Sequence, residues 1–177
     1  MNEIIDFEEE VLDDEDTYMG SLNHSLAAGQ ITGLLFNDER FTVMPELSLD
    51  TSQIDLKRFN LKAKDELVPD ISVYTEPPLV PDKEVEDDIL RVSQMPNLAI
   101  EVLSPSQSVG GLVRKIKAFF ALGVKSCWLV IPVNESITIY SKPDVFRLFS
   151  TNDTEAIDDV IDIRLPIQKV FKMRSKL

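Results

Sequence analysis

The sequence predicts an α/β (α+β) fold with a mixed central β-sheet flanked by helices. Three observations carry this. Short runs rich in β-branched and apolar residues recur along the chain, two stretches show helical spacing, and one of these helices lies between two apolar strands, LAIEVL and SCWLVIP. A strand, a helix and a second strand in that order form a crossover that joins neighbouring parallel strands, while the remaining short connections suit antiparallel pairs. With 177 residues, of which 44% are hydrophobic, the chain can bury one sizeable core, so residues 17–177 are expected to form a single domain.

Residues 1–16 precede that domain as an acidic arm, too poor in apolar contacts to fold alone. The first helix follows, with Ser21 as N-cap and Leu22, Leu26, Ile31, Leu34 and Leu35 at roughly helical spacing. FTVMPELSL (41–49) reads as a strand that Pro45 restricts to an edge or a bulge, because proline cannot donate to a ladder. A polar loop, TSQIDLKRFNLKAKDE, leads to the second strand, LVPDISVY (67–74), which Glu76, Pro77 and Pro78 close. From Pro77 to Met95 the chain is charged and reads as an insertion, with DKEVEDDILRV forming an exposed helical turn or two.

The third strand is LAIEVL (98–103). Ser104 or Ser106 then caps a helix that runs to about Leu122 and stops at Gly123. SCWLVIP (126–132), SITIY (136–140) and VFRLF (145–149) read as strands. A last strand around DVIDIRL precedes Pro166, which opens a short helix, IQKVF.

The net charge of −13 normally argues against a nucleic-acid partner, but nine of the 31 acids lie in the arm, which has no base. The rest of the chain carries 22 acids against 18 bases and is only mildly acidic. Between Glu101 and Lys125 the balance reverses, since Arg114, Lys115, Lys117 and Lys125 meet one acid, Glu101. A single cysteine, Cys127, excludes an internal disulfide and a metal–thiolate cluster, in keeping with a reducing cytoplasm. The N-terminal sequence lacks the basic and apolar regions of a signal peptide, and no stretch is long and apolar enough to span a bilayer. A cytoplasmic protein without a membrane partner is expected.

Two carboxylates stand where carboxylates are expensive. Glu101 interrupts the apolar LAIEVL, where an ionised side chain costs several kcal/mol unless it is paired, and Asp70 opens the apolar ISVY run after Pro69. If the two strands are neighbours, the acids converge at one end of the sheet and can share a hard divalent cation such as Mg²⁺. The bland alternative for either acid alone is an ion pair with a lysine or arginine, or an exposed edge position. On the following helix, Leu112, Val113, Ile116, Phe119 and Phe120 cover a continuous arc. Lys115 falls on its border, Arg114 points away, and Lys117 flanks the opposite border as a weaker candidate. Lys115 could orient a water or stabilise charge on a phosphate, or it could snorkel along the apolar face. Glu46 could add a third acid. His24, early in a helix, reads first as a structural hydrogen-bonder, and Ser104 and Ser106 as caps rather than nucleophiles.

PDISVY, LAIEVLSPSQS, the lysine-bearing helix and KSCWLVIP together resemble the Uma-two family of restriction endonucleases, a branch of the PD-(D/E)XK nuclease superfamily. The resemblance runs from about Tyr18 to IRLPIQKVF and implies a restriction-endonuclease-like core. It implies that Asp70 is the aspartate of the PD motif, that Glu101 is the acid of the E-x-K triplet, and that Lys115 replaces the strand lysine whose position is held by Leu103. It further implies Mg²⁺ (or Mn²⁺) held by Asp70 and Glu101 with the Val102 carbonyl, a DNA substrate met by the basic helix, and a homodimer. The chain departs from the pattern at Gly111 and Ile131, where similar proteins carry aspartates. A nuclease-derived binding or regulatory module is the alternative reading.

Overall fold

The computed structural model describes residues 20–80 and 87–173, so the acidic arm and part of the 77–95 insertion lie outside the described residues. Ser21 starts the first helix as its sequence suggests: its hydroxyl accepts the His24 N–H at 3.3 Å, and helix α1 runs Leu22–Phe36 with Ala27, Ile31 and Leu35 buried. The strands that follow are β1 (Thr42–Pro45), β2 (Leu49–Asp50), β3 (Glu66–Leu67), β4 (Ile71–Tyr74) and β5 (Leu98–Val102). Helix α2 (Val109–Leu122) leads into β6 (Ser126–Ile131), β7 (Ser136–Lys142), β8 (Val145–Ser150), β9 (Glu155–Asp158), β10 (Ile163–Pro166) and α3 (Gln168–Phe171).

Six strands form the central sheet in the order β1-β4-β5-β6-β7-β8. Only β5 and β6 are parallel, joined by the α2 crossover, so the sheet is mixed as expected. Side-chain alternation along the strands divides the interior in two. Ile71, Val73, Leu98, Ile100, Val102 and Trp128 pack toward α1, α3 and the β9–β10 hairpin. On the other face, Ala99, Cys127 and Leu129 pack toward Leu112, Ile116 and Phe119 of α2. Glu101 shares the parity of Ala99 and therefore faces α2.

Several sequence expectations need correction. FTVMPELSL is two strands: β1 ends at Pro45, Glu46 takes a left-handed conformation (φ 52°), and β2 turns away to pair with β3. LVPDISVY is likewise broken, because Pro69 has no N–H for a ladder and separates β3 from β4. DVIDIRL is the turn and return strand of the β9–β10 hairpin rather than one strand. Asp158, fully buried, pins that turn by accepting from the Val160 N–H (2.9 Å) and ties it to the sheet through Ser126 Oγ (2.5 Å) and Trp128 Nε1 (2.7 Å). In the insertion, no helix forms among the described residues 87–95. Val92 instead bridges to Leu49.

The start of α2 also differs. Ser108, not Ser104 or Ser106, is the N-cap, its hydroxyl accepting the Gly111 N–H at 3.0 Å. The residues before it close their own turn, with the Ser104 N–H donating to Gln107 Oε1 at 3.0 Å. The other end is as expected: Gly123 adopts φ 103°, where a Cβ would be strained, and its N–H closes onto the Phe119 and Phe120 carbonyls.

Candidate active site

The site lies where β4 enters the sheet and β5 leaves it. In the antiparallel register Ile71 opposes Ile100, so the same register carried one residue further sets Asp70 opposite Glu101. The break at Pro69 ends the ladder at that point and lets the Asp70 side chain take over a backbone role. Its Oδ2 accepts the Val102 N–H at 2.6 Å, a charge-assisted bond that fixes the carboxylate at the end of β5. Its Oδ1 lies 3.2 Å from His24 Nε2, reached from the first turn of α1.

Glu101 is 2% exposed, and its partner is Lys115: Nζ lies 2.9 Å from Oε1. The same ammonium donates to the Val68 carbonyl at 2.7 Å and sits 5.9 Å from the centre of the Phe119 ring. The expectation that Lys115 lies on the border of the apolar arc is corrected here. At 7% exposure it is inside the stripe of Leu112, Ile116 and Phe119, held there by the buried carboxylate it neutralises. Arg114 does not point wholly away either. It is half-buried, with Nε shielded, and its guanidinium lies over the first turn, 3.6 Å from where a Cβ on Gly110 would be.

The structure thus brings Asp70, Glu101, Lys115, His24 and Glu46 to one end of the sheet. Glu46 is exposed, but its N–H donates to the Asp70 carbonyl at 3.1 Å and its charge acts on His24. Lys117 is not part of the group: it is exposed on another face of α2, 3.9 Å from Asp144. Ser104 is buried with its N–H committed to Gln107, and Ser106 is exposed. Sequence reasoning missed the two backbone groups that anchor the site, the Val68 carbonyl and the Val102 N–H. Pro69 was the available signal, since a proline just inside a strand frees its neighbours from the ladder.

The His24 imidazole is raised above its ordinary 6.5, chiefly by the hydrogen bond to Asp70; burial opposes this, and the charges of Asp70 and Glu46 add to it. A raised folded-state value means that the pair's stabilisation is fully present below the unfolded value near 6.5 and is lost as pH rises through the folded one. Melting curves of His24→Ala and wild type across this range should therefore differ most on the acid side and converge on the alkaline side.

A mixed sheet with a crossover helix, carrying two acids and a lysine at the end of its central strands, is a restriction-endonuclease-like fold. The chain belongs to the Uma2 family, described as "Putative restriction endonuclease", which matches residues 19–168. It is similar in fold to a crystal structure from Anabaena variabilis described as "a putative nuclease belonging to DUF820". The two share 20% identity with a TM-score of 0.62 over 87% of this chain and 83% of that one. No curated protein matches the chain significantly.

Proposed function

We propose that the protein is a divalent-metal-dependent endonuclease that hydrolyses phosphodiester bonds in DNA. The observation that carries this is the convergence of Asp70, Glu101 and Lys115 at the adjacent ends of β4 and β5. The donor set suits Mg²⁺ or Mn²⁺: hard carboxylate oxygens, few in number, with room in the usual coordination shell for waters and a substrate phosphate. Among the described residues no three His, Cys, Asp or Glu side chains gather as a metal cluster, so the protein would supply only the two carboxylates and backbone oxygen. Each carboxylate oxygen has two acceptor directions, and a contact with His24, Val102 or Lys115 does not exhaust them.

A bound ion would supply Lewis-acid stabilisation of phosphate charge and a more acidic water. The chain's own residues supply placement and charge. Val102 and His24 hold the Asp70 carboxylate in one orientation at the end of β5. Lys115, fixed by Glu101 and the Val68 carbonyl, keeps a positive charge where negative charge grows on the phosphate, and positions the attacking water.

Metal-dependent nicking of supercoiled plasmid tests this. Wild type should nick with Mg²⁺ or Mn²⁺ and not with chelator, while Glu101→Ala and Lys115→Ala should each lose at least about a hundredfold, the scale of removing one charge-stabilising group. Nicking that survives both substitutions sinks the assignment.

A second reading, a binding or regulatory module on the same fold, is favoured by the small carboxylate set and by Gly111 and Ile131 at positions where the resemblance implies acids. Its mark would be DNA binding without nicking under any metal.

A further inference from the structure

The helix expected to meet DNA offers little charge to it. Lys115 is buried against Glu101, Arg114 is half-buried, and only Lys117 is exposed. The exposed cations gather instead on the segment before the site. Residues 56–64, LKRFNLKAK, contain Lys57, Arg58, Lys62 and Lys64 and no acid, and all four are exposed. Among the described residues none of them forms an ion pair.

This segment is a built ridge. Leu56–Phe59 is a 3-10 helix packed on α2, with Asp55 as N-cap accepting the Lys57 N–H at 3.0 Å. Asn60, in a left-handed conformation (φ 53°), closes it onto the Leu56 and Lys57 carbonyls. Leu56 is buried and Phe59, Leu61 and Ala63 are partly buried in the α2-side core, so the four cations are turned outward by the anchoring of their neighbours. Nearby, Glu66 is engaged by Ser48 Oγ (2.6 Å) and Arg91 (3.4 Å). The ridge runs directly into the site. Lys64 is six residues before Asp70, a span of at most about 22 Å even if fully extended, and Val68, between them, accepts from Lys115.

We infer that Lys57, Arg58, Lys62 and Lys64 form a phosphate-contact ridge that holds the backbone of a DNA duplex beside the Asp70–Glu101 site. The inference rests on the nuclease reading for its ligand, but not on catalysis. The ridge reads charge and spacing rather than base edges, so binding through it is indifferent to sequence and sensitive to salt.

The test is binding of a short fluorescent DNA duplex in chelator, followed by anisotropy over a range of salt. Three full-length proteins are compared: wild type, the quadruple Lys57→Ala/Arg58→Ala/Lys62→Ala/Lys64→Ala variant, and a control, Lys169→Ala/Lys172→Ala, whose exposed lysines lie at the α3 end of the chain. Each lost phosphate contact removes about 0.9 from the slope of log affinity against log salt, so the quadruple variant should be shallower by about 3 to 4. The control should keep the wild-type slope, and all three should melt alike because every substituted side chain is exposed. An unchanged slope in the quadruple variant, an equal loss in the control, or a wild type that does not bind duplex overturns the ridge. A ridge-dependent slope in a protein that never nicks DNA would leave the ridge standing and overturn the catalytic reading alone.

Discussion

Replacing Lys115 with methionine should destabilise the fold by about 3 to 5 kcal/mol, the usual result of removing one partner from a buried ion pair. Lys115 and Glu101 are 7% and 2% exposed, with Nζ 2.9 Å from Oε1, so water cannot take over the role of the missing ammonium. The Val68 carbonyl loses its 2.7 Å donor in the same step. For a chain of this size each kcal/mol lowers the melting temperature by roughly 2–4 °C, so a drop on the order of 10 °C is expected. The double variant Lys115→Met/Glu101→Leu should recover much of that loss, because two apolar side chains can replace a buried pair at little net change. If the single variant melts like wild type, Lys115 is not the partner that makes Glu101 tolerable. Separately, a double variant that melts above wild type would show that the pair is kept at the expense of stability.

The second large effect concerns metal. A ligand that binds only the folded chain at a hundred times its dissociation constant adds about 2.7 kcal/mol. For this chain that corresponds to a rise in melting temperature of roughly 5–10 °C. Wild type in millimolar Mg²⁺ or Mn²⁺ should show such a rise, and Asp70→Ala should not. Asp70→Ala also leaves the Val102 N–H without its 2.6 Å acceptor and His24 without its carboxylate, so its melting temperature without metal should already be lower. The diagnostic quantity is therefore the difference made by metal within each protein. A wild type that metal does not stabilise would favour the binding or regulatory reading.

Much of this fold is legible in the sequence because local rules and packing agree. Ser21 and Gly123 bound their helices as capping predicts, and the LAIEVL–helix–SCWLVIP crossover gives the parallel pair of the central sheet. The errors fall where the chain leaves the ladder. Pro45 lies on an edge strand, as its missing N–H predicts, but it also ends that strand beside the left-handed Glu46, and Pro69 separates β3 from β4. The β9–β10 hairpin was hidden because its turn is held by Asp158, whose partners Ser126 and Trp128 are distant in sequence.

The candidate site divides in the same way. Asp70 and Glu101 stand out as carboxylates at or in apolar strands, and the β4–β5 register carried one residue past Ile71 sets their backbones opposite each other. The depth of Lys115 was not legible. Helical periodicity put it at the edge of the apolar arc, and only the tertiary contact with Glu101 draws it in. The ridge of Lys57, Arg58, Lys62 and Lys64 reads in the sequence as a polar loop, since its meaning depends on Leu56, Leu61 and Ala63 anchoring it to the core near α2.

The most direct measurement is a crystal structure soaked in Mn²⁺, with the ion located by its anomalous signal. One peak within roughly 2.0–2.6 Å of a carboxylate oxygen of both Asp70 and Glu101 is the expected result. Carboxylates that stay on His24, Val102 and Lys115, with no peak between them at saturating Mn²⁺, would contradict a shared metal and with it the nuclease mechanism proposed for this site.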